Sequence, residues 1–127
     1  MNAPSPGRRG PDASLPAGYA FRPEWEWTPA QVAAALAEKR VTLVDCRRPP
    51  ELAVAKIAGA LWIPMDETPA RLEEFRALPQ PLVIHCHHGV RSLRVAAFLR
   101  ENGVPADSMA AGIDQWSLAV DPGVARY

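Results

Sequence analysis

The stretch PLVIHCHHGVRS, residues 81–92, decides the fold of this chain. It opens with an apolar run that ends at Cys86, and a run without polar alternation is typical of a β-strand buried on both faces. Residues 91–102 then repeat apolar side chains at helical spacings, and Gly103 stops the pattern. A buried strand that passes through a tight loop into a helix is the repeating unit of a parallel α/β sheet.

The same alternation continues on both sides of this stretch. VTLVDC, residues 41–46, is predicted as a second buried strand, and residues 25–27 as a short edge strand followed by a helix that Thr28 caps. Residues 57–63 pass through a turn into another strand, and a last strand over residues 108–110 precedes a short helix. Parallel strands of this kind are joined by right-handed crossovers. We therefore predict a single three-layer α/β domain, with a central, mostly parallel five-stranded sheet flanked by helices.

The domain is expected over residues 23–127. Residues 1–22 are rich in Pro, Gly, Ala and Arg and show no apolar period, which predicts a flexible arm. Thr68, with Pro69 behind it, is expected to cap a further short helix. The sequence contains no internal repeat that would indicate a second domain.

Composition and charge restrict the function. The 127 residues carry 14 basic and 14 acidic side chains, so the formal net charge is zero, and a chain-wide attraction to nucleic acid or to an anionic membrane has no support. No apolar run approaches the roughly 20 residues that span a bilayer. The opening stretch MNAPSPGRRGPDASLPAGYA lacks the apolar core of a secretory signal. We expect a cytoplasmic protein without a nucleic-acid or membrane partner.

Cys86 stands where a parallel sheet usually binds its ligand, beyond the carboxyl end of a strand. The first amides of the following helix have no intrahelical partner and can surround an anion, and Gly89 permits the sharp turn that this requires. A thiolate held by those amides near the guanidinium of Arg91 should have a lowered pKa and should be exposed for reaction. We therefore expect Cys86 to be a nucleophile and not an inert core thiol.

Three sequence blocks resemble the rhodanese family. Residues 86–92, Cys-His-His-Gly-Val-Arg-Ser, match its C-x-x-G-x-R-[ST] active-site loop. LVDCRRPPELAVAKIAGALWIPM, residues 43–65, is similar to the block that contains its D-V-R-x-x-x-E element, and AAGIDQW, residues 110–116, is similar to its final G-G-(hydrophobic)-x-x-W block. The resemblance covers about residues 25–116. The chain departs from the family pattern at four scaffold positions: Arg48, Lys56, Ala58 and Ala111.

The resemblance implies a sulfurtransferase with a ping-pong mechanism and with no metal or organic cofactor. A small donor such as thiosulfate leaves its outer sulfur on Cys86 as a persulfide while Arg91 and the loop amides bind the anion. A thiol or cyanide then removes that sulfur, and a protein can also serve as donor or acceptor. Asp45 and Arg47 match the D-x-R element and are expected to support the loop. The expected substrate-binding residues are His87, His88, Gly89, Val90 and Ser92.

Other interpretations compete with this one. A sulfur-carrier or persulfide-relay module would receive sulfur from a partner protein and turn over small donors slowly. A phosphatase of the same architecture would close a wider C-x5-R loop, whereas four residues separate Cys86 from Arg91. A metal site at residues 85–88 is disfavoured because neighbouring side chains on a strand end point in different directions. For Cys46, core packing is favoured over a role as a resolving thiol.

Overall fold

The computed structural model of the chain describes residues 10–127. Its strands are β1 (Glu26–Trp27), β2 (Thr42–Asp45), β3 (Leu61–Trp62), β4 (Leu82–His85) and β5 (Asp107–Met109). Its α-helices are α1 (Pro29–Ala37), α2 (Pro49–Val54), α3 (Leu72–Ala77), α4 (Val90–Glu101) and α5 (Gly112–Ala119). Two 3₁₀ turns, Met65–Glu67 and Pro69–Arg71, precede α3. Across these described residues, every helix is too short or too polar to cross a membrane.

The five strands form one sheet in the order β1-β5-β4-β2-β3, and every pairing is parallel. β4 lies at the centre between β2 and β5, in register through the pairs Val44 with Ile84 and Ile84 with Ser108. A central parallel strand is covered on both faces, which explains the continuous apolar run that ends at Cys86. The predicted fold class is confirmed, and the sheet is wholly parallel.

Alternate residues of the two central strands face two separate apolar clusters. Val44 and Ile84 pack with α3 and α4 on one face of the sheet, whereas Leu43 and Val83 pack with α1 and α5 on the other. The alternation follows from the reversal of the Cβ direction at each residue along a strand. These two clusters hold the sheet between two layers of helices.

The helix starts agree with the sequence at α1 and differ from it before α3. Thr28 accepts a hydrogen bond from the backbone N–H of Gln31, and the Gln31 side chain accepts one from the backbone N–H of Thr28, so the predicted cap is a complete capping box. Thr68 caps no helix: its hydroxyl is buried and bonds no group of residues 10–127. That prediction is wrong because Pro69 begins a separate 3₁₀ turn, and α3 starts only at Leu72.

Residues 10–22 lie against the start of α1, which differs from the predicted flexible arm. Thr28 donates its hydroxyl to the Asp12 carboxylate at 2.6 Å, and the Ser14 hydroxyl accepts from the backbone N–H of Ala30 at 3.1 Å. These contacts are made by side chains and turns, so they leave no apolar period in the sequence to predict them. The first part of the predicted arm, residues 1–9, lies outside the described residues.

The start of α5 presses against the loop that follows β4. The backbone N–H groups of Ile113 and Asp114 donate to the carbonyl oxygens of Cys86 and His87, at 2.9 and 3.1 Å. Gly112 has a φ of +65°, and a Cβ atom on it would lie 2.3 Å from the His87 carbonyl oxygen. No side chain fits in that space, so Gly112 sets how closely α5 approaches the loop.

Replacing Gly112 with alanine should therefore destabilise the domain by about 2–4 kcal/mol, because the new methyl group overlaps a carbonyl group and the backbone is left-handed. Gly103→Ala is the matched control. Gly103 also has a positive φ of +79°, but its nearest neighbour is the end of the Arg76 side chain at 4.0 Å, so it carries only the conformational cost of about 1 kcal/mol. Urea unfolding measures both free energies, and equal losses would contradict the close-approach argument.

Candidate active site

The Cys86 sulfur lies within a ring of hydrogen-bond donors at the carboxyl end of β4. The backbone N–H groups of Gly89 and Ser92 point at its Sγ, at 3.1 and 3.3 Å, and the Ser92 hydroxyl oxygen is 3.4 Å away. Gly89 has a φ of +99°, which turns the chain back over the sulfur before α4 begins. The Ser92 hydroxyl is itself held by Ser108 on β5 at 2.7 Å. The loop is thus built to hold negative charge on Cys86.

Cys46, which directly follows β2, affects the protonation of the same sulfur. Its thiol hydrogen bond is the largest cause that lowers the pKa of Cys86; burial opposes the shift, and the Ser92 and Gly89 donors add to it. The same hydrogen bond raises the pKa of Cys46, and burial raises it further. Within this pair the proton therefore stays on Cys46 and the negative charge on Cys86.

The expectation that the sulfur is exposed is wrong. Cys86 is 1% exposed and belongs to the apolar cluster between the sheet and α4. α5 binds two carbonyl groups of the loop, while the Gly89 and Ser92 N–H groups of the same loop point at the sulfur. The expected backbone N–H groups do point at the sulfur. A sulfur-donating molecule can reach that buried sulfur only if the residues around the loop move.

Arg91 is paired with a carboxylate that sequence reasoning did not single out. Its two terminal nitrogens donate to the two oxygens of Glu51, both at 2.7 Å, and Glu51 also accepts from the Tyr127 hydroxyl at 2.9 Å. The Arg91 hydrogen bonds lower the pKa of Glu51 to about 2, with burial opposing them. The signal for Glu51 was present, because it occupies the acidic position of the D-V-R-x-x-x-E element.

Asp45 and Arg47 form a buried ion pair under the loop. The Arg47 Nε and Nη2 atoms donate to the two carboxylate oxygens of Asp45 at 2.9 and 2.7 Å, and Nη2 also donates to the carbonyl oxygen of Ala55 at 2.7 Å. The third nitrogen, Nη1, donates to the Tyr127 hydroxyl at 3.0 Å. Tyr127 therefore joins this pair to Glu51, and no motif in the sequence indicates that role.

The remaining loop residues divide into an inner and an outer group. His87 is partly buried, with its ring stacked on Tyr127 at 3.9 Å between centroids and on His88 at 3.8 Å. Burial lowers the pKa of His87, and His88 adds to that effect. Val90 is 61% exposed. The predicted substrate-binding set is thus spread: Gly89 and Ser92 touch the sulfur, whereas His88 and Val90 face outward.

Within residues 10–127, one group of side chains lies close enough together to be tested as a metal site. Ligand atoms of His87, His88 and Asp114 all lie within 4.8 Å of one another. Asp114 is already paired with Arg126 through both oxygens, at 2.9 and 3.2 Å. The His87 ring is stacked on His88 and also on Tyr127, which holds both imidazoles in a ring stack. This arrangement fits a metal ion poorly.

The fold and the loop together define a parallel α/β domain with backbone N–H donors around a cysteine at the carboxyl edge of its sheet. The family model of the rhodanese-like domain matches residues 28–119, so the chain belongs to the rhodanese-like domain family. The resemblance stated from the three sequence blocks is confirmed.

Known relatives agree with this assignment. The chain is 34% identical over 98 residues to the thiosulfate sulfurtransferase GlpE of Haemophilus influenzae, covering 76% of this chain and 91% of the relative. It is similar to the crystal structure of a rhodanese-like domain protein from Staphylococcus aureus, with 31% identity, a TM-score of 0.67 and coverage of 81% and 98%. It also matches Bacillus anthracis CoADR-RHD at 25% identity and a TM-score of 0.69, covering 80% of this chain but 18% of that longer chain.

Glu51→Gln should give a pH-dependent loss of stability. The folded-state pKa of Glu51, about 2, lies below its ordinary value of 4.5, so the ionised carboxylate contributes fully above about pH 4.5, and its contribution is lost as the pH falls toward 2. Near neutral pH we expect a loss of about 1–2 kcal/mol, because charge-assisted hydrogen bonds are replaced by neutral ones. Urea unfolding at several pH values checks this, and a difference that did not shrink toward pH 2 would contradict it.

Proposed function

We propose that this protein is a sulfurtransferase that carries a sulfane sulfur on Cys86 as a persulfide, taken from thiosulfate or a related anionic donor. The observation that carries the proposal is the pair of backbone N–H groups, those of Gly89 and Ser92, that donate to the Cys86 Sγ. These donors lower the pKa of the thiol, and they can also hold the negative charge of a second sulfur. The thiosulfate sulfurtransferase GlpE, to which the chain is similar, supports the choice of donor.

Each half of the reaction is a displacement at sulfur. The Cys86 thiolate attacks the outer sulfur of thiosulfate, the sulfur–sulfur bond of the donor breaks, and sulfite leaves with the bonding electron pair, so that Cys86 becomes Cys–S–S⁻. An acceptor thiolate or cyanide then attacks the outer sulfur and returns Cys86 as a thiolate. Neither half needs a proton or a cofactor. Both need a stabilised thiolate, which the loop supplies.

The donor anion has a candidate place beside the loop. An open pocket of about 440 Å³ is lined by Arg48, Pro50, Glu51 and Arg91. Two guanidinium groups border it, and planar guanidinium donors suit the oxygens of a thiosulfonate. Arg48 replaces a residue that is often acidic in the resembled family, so it adds positive charge here. We propose that an anionic donor enters through this pocket by competing with Glu51 for Arg91.

Cys86→Ser should abolish persulfide formation. Wild-type protein incubated with thiosulfate should gain the mass of one sulfur atom, and the variant should gain nothing, because a hydroxyl is a far poorer nucleophile than a thiolate. Intact-protein mass spectrometry measures both. Absence of the adduct in wild type and in Cys46→Ser alike, with thiosulfate and also with glutathione persulfide, would overturn the proposal.

Arg91→Ala and Glu51→Gln together separate substrate binding from scaffolding. If Arg91 binds the donor, Arg91→Ala should slow the reaction with thiosulfate roughly 5- to 150-fold, which is about 1–3 kcal/mol of activation free energy. Glu51→Gln frees the guanidinium, so it should slow the reaction less. With glutathione persulfide, which lacks the sulfonate group, the loss in Arg91→Ala should be smaller. Steady-state kinetics of folded variants decide the matter, and equal losses with both variants and both donors would assign Arg91 to scaffolding.

A protein donor is the remaining alternative for the supply of sulfur, as in a carrier module. The same kinetic experiment distinguishes it. Unmeasurable turnover of thiosulfate and glutathione persulfide, together with persulfidation by a protein donor, would favour the carrier. The cytoplasmic location and the absence of nucleic-acid and membrane partners stay predictions from composition.

A further inference from the structure

The two cysteines of the chain directly follow the ends of two neighbouring strands, β2 and β4. β2 and β4 are parallel and in register through Asp45 and His85, and the backbone N–H of Cys46 donates to the His85 carbonyl oxygen at 3.0 Å, which continues the ladder by one residue. Cys46 and Cys86 are therefore the next pair across the sheet. Both side chains face the same apolar cluster.

The usual spacing of neighbouring strands falls within the range that a disulfide requires. Neighbouring strands lie about 4.7–4.9 Å apart, and the Cα atoms of bonded cysteines lie roughly 4.4–6.8 Å apart. The Cys46 thiol also lies close enough to Cys86 to lower its pKa. Both residues are reduced and 1% exposed, so the thiol nearest to Cys86 belongs to the protein itself, while an outside acceptor must first open the loop.

We propose that Cys46 is an internal resolving thiol, which displaces the outer sulfur from persulfidated Cys86 as hydrosulfide and leaves a Cys46–Cys86 disulfide. The inference rests on the persulfide proposed above. It adds a second route by which the outer sulfur leaves Cys86. On this route no external acceptor has to reach the buried site.

The atoms and electrons balance without an added oxidant. Cys46–SH and Cys86–S–S⁻ become Cys46–S–S–Cys86 and HS⁻. A bond forms between the two Sγ atoms, the bond from Cys86 Sγ to the outer sulfur breaks, and its electron pair leaves with the outer sulfur. The proton of Cys46 goes to that leaving sulfur. The outer sulfur is reduced by two electrons, and the two cysteine sulfurs are oxidised to the disulfide level.

The direction of attack is compatible with the loop. Displacement at Cys86 requires the outer sulfur to lie on the far side of its Sγ from Cys46. The N–H donors of Gly89 and Ser92 come from the loop and α4, not from β2. An outer sulfur held by those donors leaves the β2 side of Cys86 free for Cys46.

The disulfide form cannot accept another sulfur, so it must be reduced before the next cycle. A dithiol reductant restores both thiols by ordinary exchange and becomes a cyclic disulfide itself. Hydrosulfide release would then depend on the supply of dithiol, whereas transfer to an external thiol or cyanide would not. The protein would in this way respond to the thiol redox state around it.

The test follows persulfidated protein after the donor has been removed. Wild type, Cys46→Ser and Cys46→Val are loaded with glutathione persulfide without oxygen, desalted, and followed by intact mass and by hydrosulfide release. In wild type the added sulfur should disappear as one equivalent of hydrosulfide appears, leaving a mass two hydrogens below that of the reduced protein. In both variants the persulfide should persist roughly tenfold longer or more, because the resolving thiol is gone.

The two substitutions act as controls for each other. Serine keeps a hydrogen-bond donor beside Cys86, whereas valine removes it, so a lifetime lengthened in both variants reports the lost thiol and not the lost hydrogen bond. Thermal unfolding shows that each variant is folded, and a digest of wild type should contain the Cys46–Cys86 linked peptide.

The possible failures are distinguishable. An adduct that persists in wild type, without hydrosulfide or disulfide, would refute the role of Cys46 and leave the persulfide proposal intact. Loss of sulfur from Cys46→Ser as fast as from wild type would do the same. If neither wild type nor the variants ever gain sulfur, the proposed function fails and this inference fails with it.

Discussion

The arrangement of backbone amides around one sulfur atom is the constraint on which the rest of this structure depends. The donors from Gly89 and Ser92 reach the Cys86 Sγ only because the chain turns sharply at Gly89. α5 also holds this loop in place, because its first backbone N–H groups donate to the loop carbonyl oxygens. Fixed dipoles of this kind need no rearrangement when charge develops, so they suit both a thiolate and the persulfide proposed for Cys86.

A network of charged side chains lies near the Cys86 loop at one end of the sheet. Arg47 and Asp45 are buried together, Arg91 is paired with Glu51, and the Tyr127 hydroxyl bonds to both Arg47 and Glu51. Buried charges are tolerated only when paired, so each member fixes the position of the next. The network therefore connects the strand that carries Asp45 to the guanidinium proposed to meet the donor.

Burial of the Cys86 sulfur restricts which acceptors can reach it. An open thiolate could be reached by any acceptor, whereas Cys86 is enclosed and has the thiol of Cys46 as its neighbour. The same neighbour that lowers the pKa of the Cys86 thiol is the group proposed to remove the added sulfur. One cross-strand contact would thus serve both to stabilise the anion and to limit the lifetime of the persulfide.

The sequence alone determined the parallel α/β class, the capping box at Thr28 and the position of Cys86 between a strand and a helix, because these follow from apolar periodicity and short-range hydrogen bonds. It did not show that Thr68 caps no helix, that residues 10–22 contact α1, or that Cys86 is buried. Those depend on which segments, distant in the chain, pack together. Only the tertiary structure placed Glu51 on Arg91, Tyr127 between Glu51 and Arg47, and Cys46 beside Cys86. Strand order and register are set by packing across the whole sheet.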